Sequence, residues 1–562
     1  MTPSNPDHEQ PPAPADLADP LYYLHNFDTL VAWVREHHDD LLTADERRRL
    51  DHLADLSTAA RALLVRLVMR RGHCFRTDRL AYPELEATID DLIQELTGDD
   101  WLLRDPELFL TDAARLQTLA ELRQRWLGRP EADGLPRTVG KQVLVDTLTE
   151  RLPHAARASH WGLPDTVALT TPELFDRLRL LFFGNLYQDW SDFVVVELGH
   201  YRYEPVPLTP ALRAVTQRQH LDDYLTLQQC RELLETHPAR EVWPQLPACD
   251  HDNPWLMARY HSLLYELGIL AERQGDPELA LTALADSGHR EARLRLGRLL
   301  ERQQALESAW NLATDALAAP RTDSERRGMQ RLAQRLARKL SRAAPVAPAR
   351  PELQQWSLAL PISDGSVEAA VAGHLAGPDV TVHHTENRLF TALFGLLCWD
   401  AIFLPVPGAF FHPFQMAPAD LNHPDFVRRR QSEFERCLAG LADDSYQHHI
   451  RQTWHRKAGT RNPFVHWPTL SESLLDAAFA CIPAGHLHAL FTHLLSDLKE
   501  HRRGLPDLIC LDRRRQCYQL VEVKGPGDRL QDHQRQWLEF FTRQGIPASV
   551  CHLSWLDDGD CA

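Results

Sequence analysis

The sequence predicts a multidomain chain: a mainly α-helical N-terminal part followed by a C-terminal α/β domain. Three observations carry this reading. Apolar residues recur at three- and four-residue spacing from Leu21 to about Ala120, and the chain reads as helical again from about Trp255 to Leu340. The segment AAPVAPARP (343–351) breaks all periodicity and reads as a linker. Beyond it, Leu508–Asp512 and Cys517–Val523 are strand-like runs joined by the polar loop Arg513–Gln516. A helical pattern over Leu530–Gln544 and a last strand near Ile546–Cys551 follow. The expected divisions are a disordered tail at 1–20, a helical domain at 21–120, a helix–turn–helix region at 121–235, helical repeats at 236–342, a linker at 343–372 and the α/β domain at 373–562.

At 562 residues the chain exceeds what one hydrophobic core fills. Hydrophobic residues at 44% and charged residues at 25% are ordinary for a globular protein. No apolar run is long enough to span a bilayer, and MTPSNPDHEQPPAPADLADP lacks the basic start and apolar centre of a signal peptide. No membrane partner is expected, and the expected compartment is the cytoplasm. The ten cysteines include no CxxC pair, so thiols serving as small core residues are expected, and no zinc spacing is recognisable. The net charge of −17 taken alone argues against a nucleic-acid partner. Distribution qualifies that: Gly288–Arg342 holds 13 Lys/Arg against 6 Asp/Glu. A basic strip on an acidic protein can bind phosphate, although Arg-rich helices also occur simply as solvated faces.

Leu53, Leu56, Ala60, Leu63, Leu64 and Leu67 form one helical stripe, after which Arg70, Arg71, Arg76 and Arg79 follow. This suits a small winged-helix-like module touching DNA backbone, or equally a basic helix C-terminus answering the helix dipole. In GLPRTVGKQVLVDTLTERL (134–152), Gly134 and Gly140 flank a turn, Lys141 opens a helix, and Leu144 and Leu148 form its buried stripe. The layout resembles a SAP-type DNA-binding motif, in which free N–H groups and a lysine can hold a phosphate. The aromatic stretch 181–205, with its run FVVVEL, reads as core packing. YELGILAERQGDPELAL (265–281), with Gly275 at the turn, and the degenerate unit at 291–313 resemble tetratricopeptide repeats. Such stacks usually bind protein, which makes a protein partner the default for this region alone.

The chemistry concentrates near the C-terminus. If the loop after Asp512 closes a simple hairpin, Asp512 faces Cys517, and stepping back along both strands sets Asp507 opposite Glu522. Glu522 and Lys524 are two apart on one strand and project from the same face. Two adjacent carboxylates repel unless a cation relieves them, and a divalent ion with oxygen ligands, Mg²⁺ or Mn²⁺, suits the set. Such an ion polarises a phosphodiester, while Lys524 can orient water or stabilise developing phosphate charge. An ordinary cross-strand salt bridge is the plain alternative, but a Glu between two valines in a central strand is costly without a partner. In TENRLFTALFGLLCWDAIF (385–403), Thr385 reads as an N-cap and Glu386 as lying on the buried stripe of Leu389, Phe390, Leu393 and Leu397. By spacing alone, a first-turn residue answering the helix dipole is the favoured reading of Glu386.

Pro506–Asp507, fourteen intervening residues and Glu522–Val523–Lys524 resemble the PD-(D/E)xK nuclease superfamily, of restriction-endonuclease-like fold. GPGDRLQDHQRQWL after them is similar to the VRR-type branch, and ENRLFTALFGLLCWDAIFLPVPGAF with FQMAPADL (414–421) resembles the Fanconi-associated nuclease family. That resemblance implies a structure-selective nuclease using Mg²⁺ or Mn²⁺, cutting near 5′ flaps of double-stranded DNA, degrading 5′ to 3′, and serving interstrand crosslink repair. It implies metal ligation by Glu386, Asp507, Glu522 and the Val523 carbonyl, a catalytic Lys524, and support from Gln534. A ubiquitin-binding zinc finger has no counterpart, which points to a bacterial member near the nucleoid. Arg70, Arg71, Arg76, Lys141, Arg290, Arg456, Lys457 and Arg461 are the DNA-binding candidates. A Holliday-junction resolvase and a non-catalytic repeat scaffold are the competing readings.

Overall fold

The computed structural model describes residues 19–188, 202–248, 252–346, 349–362 and 365–556. Nearly all of the expected N-terminal tail, and the FVVVEL run, lie outside the described residues. The chain divides into two compact units, Met1–His200 and Tyr201–Ala562.

In the first unit, helices Tyr22–His38, Ala44–Asp55, Thr58–Val68 and Ile89–Gly98 pack beside a small antiparallel sheet. That sheet joins β1 (Cys74–Arg76) and β2 (Leu102–Arg104) through a central strand, Thr166–Leu169, that comes much later in the chain. Helices with a short sheet match the winged-helix expectation. All six residues of the stripe from Leu53 to Leu67 are buried, yet they lie on two helices and the intervening break. The chain turns at Leu56, and the Ser57 hydroxyl accepts from the Ala60 N–H to start the next helix. Lys141–Arg151 is a helix with Leu144 and Leu148 fully buried and Gly140 at its N-cap. Residues 134–152 therefore contribute one helix; its neighbours are Leu110–Arg115 and Leu119–Trp126.

In the second unit, Pro254–Arg273, Pro277–Asp286, Ala292–Arg302, Leu306–Ala318 and Asp323–Leu340 stack consecutively, as repeat helices should. Gly275 has φ +78°, which the tight turn between the first two helices requires, and Asp276 caps the second. The short strands β3 (Glu107–Leu108) and β4 (Ala156–Arg157) pair in the first unit, leaving Thr166–Leu169 as β5. The α/β domain is a five-stranded mixed sheet of β6 (Gln355–Pro361), β7 (Val380–His384), β8 (Leu508–Asp512), β9 (Cys517–Lys524) and β10 (Ala548–Leu556). Their order is β6-β10-β9-β8-β7, with β10 parallel to both neighbours and the other pairs antiparallel. β6 falls within the stretch read as linker. It is an edge strand whose Trp356, Leu358 and Leu360 alternate onto the core while their neighbours stay exposed.

Alternation along the hairpin serves two cores. Leu508, Val521 and Val523 face the layer of helix Val367–Leu375. Ile509, Leu511, Tyr518 and Leu520 face a larger layer that includes helices Leu389–Leu397, Glu472–Cys481, Ala484–Ser496 and Asp532–Gln544. Glu522 and Lys524 follow Leu520 at two-residue steps and belong to the second face. Among the described residues no single helix is long and apolar enough to cross a membrane.

Candidate active site

β8 and β9 pair as the loop length predicts: Asp512 stands opposite Cys517 and Leu508 opposite Val521. One step further, Asp507 accepts the Val523 N–H on its Oδ2 at 2.9 Å. The hairpin thus delivers Asp507 to the end of β9. Glu522 is 1% exposed and Lys524 8%, with Nζ and Oε1 2.8 Å apart.

Burial, and then the neighbouring Asp507, push the Glu522 carboxyl up to about 7 against the opposing pull of Lys524. Burial also raises Asp507, while the Val523 N–H and Lys524 hold it back. Both carboxyls resist ionisation because a low-dielectric site holds two negative groups and one ammonium, which contacts Glu522. A divalent cation with oxygen ligands would remove that conflict, so the donor set fits the hard ion expected of it.

Glu386 arrives by a different route from the one its spacing suggests. The helix begins at Leu389, and Glu386 lies exposed in the preceding turn, so it is neither on a buried helical stripe nor N-capped by Thr385. Two long-range bonds set this turn. The Thr385 N–H donates to the Asp507 carbonyl at 2.9 Å, extending the β7–β8 ladder. Asn387, with φ +50°, accepts the Leu505 N–H on its side chain at 2.9 Å. The loop before Asp507 and the turn carrying Glu386 are thereby stapled together. Ligand atoms of His384, Glu386 and Asp507 lie within 4.8 Å of one another. His384 is the residue that sequence reasoning missed: as the last residue of β7 it has no motif of its own.

Gln534 sits in the first turn of helix Asp532–Gln544, where its side-chain oxygen accepts the Gln531 N–H at 3.0 Å. It caps the helix that follows Lys524.

The basic candidates separate into groups. Arg76 is buried and meets Asp78 at 2.7 Å and Glu121 at 2.6 Å, which makes it a brace inside the first unit rather than a surface cation. Arg290 is likewise buried, 3.0 Å from Asp497 and 3.5 Å from Glu500; a phosphate reaches it only by displacing carboxylates. Lys457 binds Glu204 at 2.5 and 2.7 Å. These three, named from the sequence as DNA-binding candidates, are each held by a carboxylate instead, because a desolvated cation needs an anion beside it. Lys141 gives its ammonium to the Gln117 carbonyl at 2.7 Å. Arg70 and Arg71 are exposed, as is Arg456, whose nearest carboxylate is Asp400 at 4.0 Å. Arg461 is half-buried and its N–H donates to the Arg202 carbonyl.

The family model of the VRR-NUC domain matches residues 441–555, and that of the FAN1, HTH domain matches 21–103. The Fanconi-associated nuclease 1 homolog of Pseudomonas aeruginosa is 43% identical, over 98% of this chain and 100% of that one. The Arabidopsis thaliana homolog is 26% identical over 94% of this chain and 67% of its own. The crystal structure of paFAN1 bound to 2nt 5′flap DNA with gap is 42% identical, covers 97% of this chain and 100% of that one, and superposes with a TM-score of 0.82. A full-length relative at this identity, carrying the same fold, leaves one assignment: the chain belongs to the Fanconi-associated nuclease family.

Proposed function

We propose that this chain is a metal-dependent nuclease that cuts double-stranded DNA near 5′ flaps and resects 5′ to 3′ in interstrand crosslink repair. The observation that carries the reading is the convergence of Asp507, Glu522 and Lys524 on one hairpin end, with Glu386 stapled beside them. The flap preference draws on relatives solved with 5′-flap DNA.

Glu386, Asp507, Glu522 and the Val523 carbonyl are the residues that would hold Mg²⁺ or Mn²⁺. Such an ion supplies Lewis-acid polarisation of the phosphodiester and acidifies water. Glu522 holds the Lys524 ammonium in place, where it can steady an attacking water or a phosphate oxygen as charge develops. Glu386 faces solvent and meets the substrate side, whereas Glu522 anchors the buried side. Exposed Arg70, Arg71 and Arg456 are candidates for backbone phosphates. The stacked helices 254–340 offer a surface for a protein partner. As a bacterial nuclease acting on DNA, the chain would work in the cytoplasm, at the nucleoid.

The test is cleavage of end-labelled 5′-flap, 3′-flap and four-way-junction DNA with Mn²⁺, Mg²⁺ or EDTA, by wild type and Asp507→Ala. Metal-dependent 5′-flap cutting that the variant loses supports the reading. Preference for the four-way junction moves it to a resolvase, and inactivity on every substrate moves it to a scaffold.

A further inference from the structure

A second cluster of ligand-type side chains lies away from the nuclease hairpin, where the last repeat helix meets the α/β domain. Asp323 opens the helix Asp323–Leu340, His493 lies in the helix Ala484–Ser496, and His501 ends the short helix Leu498–His501. Their ligand atoms lie within 4.8 Å of one another. No spacing rule could have announced this set, since Asp323 is far from the histidines in sequence.

His501 is the informative member. It is 3% exposed, and its Nδ1 lies 2.7 Å from the His493 carbonyl. A carbonyl only accepts, so the Nδ1–H donates to it and Nε2 is the ring nitrogen turned towards Asp323. Nε2 is buried with no hydrogen-bond partner and faces Asp323 Oδ2 at 3.5 Å, beyond ordinary hydrogen-bond length. A divalent ion between Nε2 and Oδ2 would engage both atoms. The spacing suits one: ligands each about 2.0–2.1 Å from a tetrahedral ion sit roughly 3.3 Å apart. A ring nitrogen donating to a backbone carbonyl while the other points at the ion is the usual arrangement of a metal-binding histidine.

The remaining contacts leave the donors available. Arg326 takes the other oxygen of Asp323, Oδ1, at 2.9 Å, and Arg327 stands 3.7 Å from Oδ2. His493 is stacked between Phe540 at 4.1 Å and His501 at 3.9 Å. Asp323 and His493 line a cavity of about 280 Å³ through which an ion and a completing water can enter.

We propose that Asp323, His493 and His501 form a second metal site, for a zinc-class divalent ion, that clamps the repeat helices to the nuclease domain. The two nitrogen donors set it apart from the oxygen-rich nuclease site. Arg326 and Arg327 repel cations, so only an ion that gains strongly from imidazole nitrogen, such as Zn²⁺, Co²⁺ or Ni²⁺, overcomes them. Mg²⁺ does not. The site is independent of the proposed catalysis.

The test uses the full chain stripped with EDTA, reloaded with Zn²⁺ alone and desalted, with bound zinc read by elemental analysis. A His384→Ala/Asp507→Asn variant, impaired at the nuclease site, should retain one equivalent of Zn²⁺. Adding His501→Gln or His493→Gln should remove that equivalent and abolish the rise in Tm that Zn²⁺ gives. Mn²⁺-dependent cleavage, measured with His501→Gln or His493→Gln alone, reports whether these variants fold. Asp323→Asn provides a milder change, and a Co²⁺ absorption band from imidazole ligation in the nuclease-site variant tests the site without altering it. Zinc retention unaffected by the histidine changes, or no cobalt band, overturns the proposal. In that event His501 and Asp323 are a buried ion pair, and stability does not respond to zinc.

Discussion

Asn387 accepts the Leu505 N–H at 2.9 Å and so ties the turn carrying Glu386 to the loop that presents Asp507. The two acidic groups come from segments separated by more than a hundred residues, and this bond, with Thr385 N–H to the Asp507 carbonyl, sets their spacing. Asn387 is a positioning residue. Its φ of +50° suits Asn or Gly, while its acceptor oxygen is shared with Asp. Asn387→Ala should weaken Mn²⁺ binding about 10–100-fold, as loss of an outer-shell partner does. Asn387→Gly should fail similarly despite relaxing the backbone, and Asn387→Asp should restore most of the affinity. Equal binding by all three variants in calorimetry would show that the staple does not position the ligands.

Glu386 separates catalytic from structural roles. It is exposed and outside any helix, so Glu386→Gln should leave stability within about 0.5 kcal/mol. Cleavage should nevertheless fall by more than about 100-fold, because losing a ligand should exceed the cost of losing its support. Lys524→Ala should lower kcat by about 10²–10³ by removing one preorganised charge at the reacting phosphate. Denaturation curves paired with single-turnover rates check both.

The raised Glu522 carboxyl predicts a pH dependence with a definite sign. Between its ordinary value of 4.5 and about 7, the folded metal-free chain holds a proton that the unfolded chain releases. That group's contribution to stability is therefore fully present below pH 4.5 and is lost as pH rises to about 7. A bound divalent ion must displace the same proton. Mn²⁺ affinity should rise about tenfold per pH unit below 7 and flatten above it, with proton release measurable as buffer-dependent heat. Affinity that does not change with pH would mean Glu522 is already ionised through its pairing with Lys524.

The hairpin was legible because loop length and strict alternation fix a register without long-range information; Asp512 opposite Cys517 follows from the sequence alone. The turn at Glu386 was not. Its helical period runs back through Thr385, and what ends the helix at Leu389 is pairing with Asp507 and Leu505, which local sequence does not carry. The same holds for the small sheet in the first unit, whose central strand comes from Thr166–Leu169. Basic residues were legible as charges but not as partners: Arg290 finds Asp497 only once the repeat helices and the nuclease domain are folded together.

Arg76 provides the sharpest contrast between charge count and placement. It is buried beneath Asp78 and Glu121, and the Glu121 carboxyl is held down at about 2, chiefly by the Thr118 N–H and then by Arg76. Arg76→Ala should leave those carboxylates facing an apolar gap and destabilise the first unit, by about 1–3 kcal/mol if the loss resembles that of a charged hydrogen bond. Because Asp78 and Glu121 are partly solvated, the lower end of that range is expected. The salt dependence of flap-DNA binding should keep its slope, since no phosphate contact is removed. Exposed Arg70 and Arg71 should behave in the opposite way. Their replacement by Ala should leave the unfolding curve in place and reduce the slope of log K against log salt. A reduced slope for Arg76→Ala with unchanged stability would return this arginine to the DNA surface.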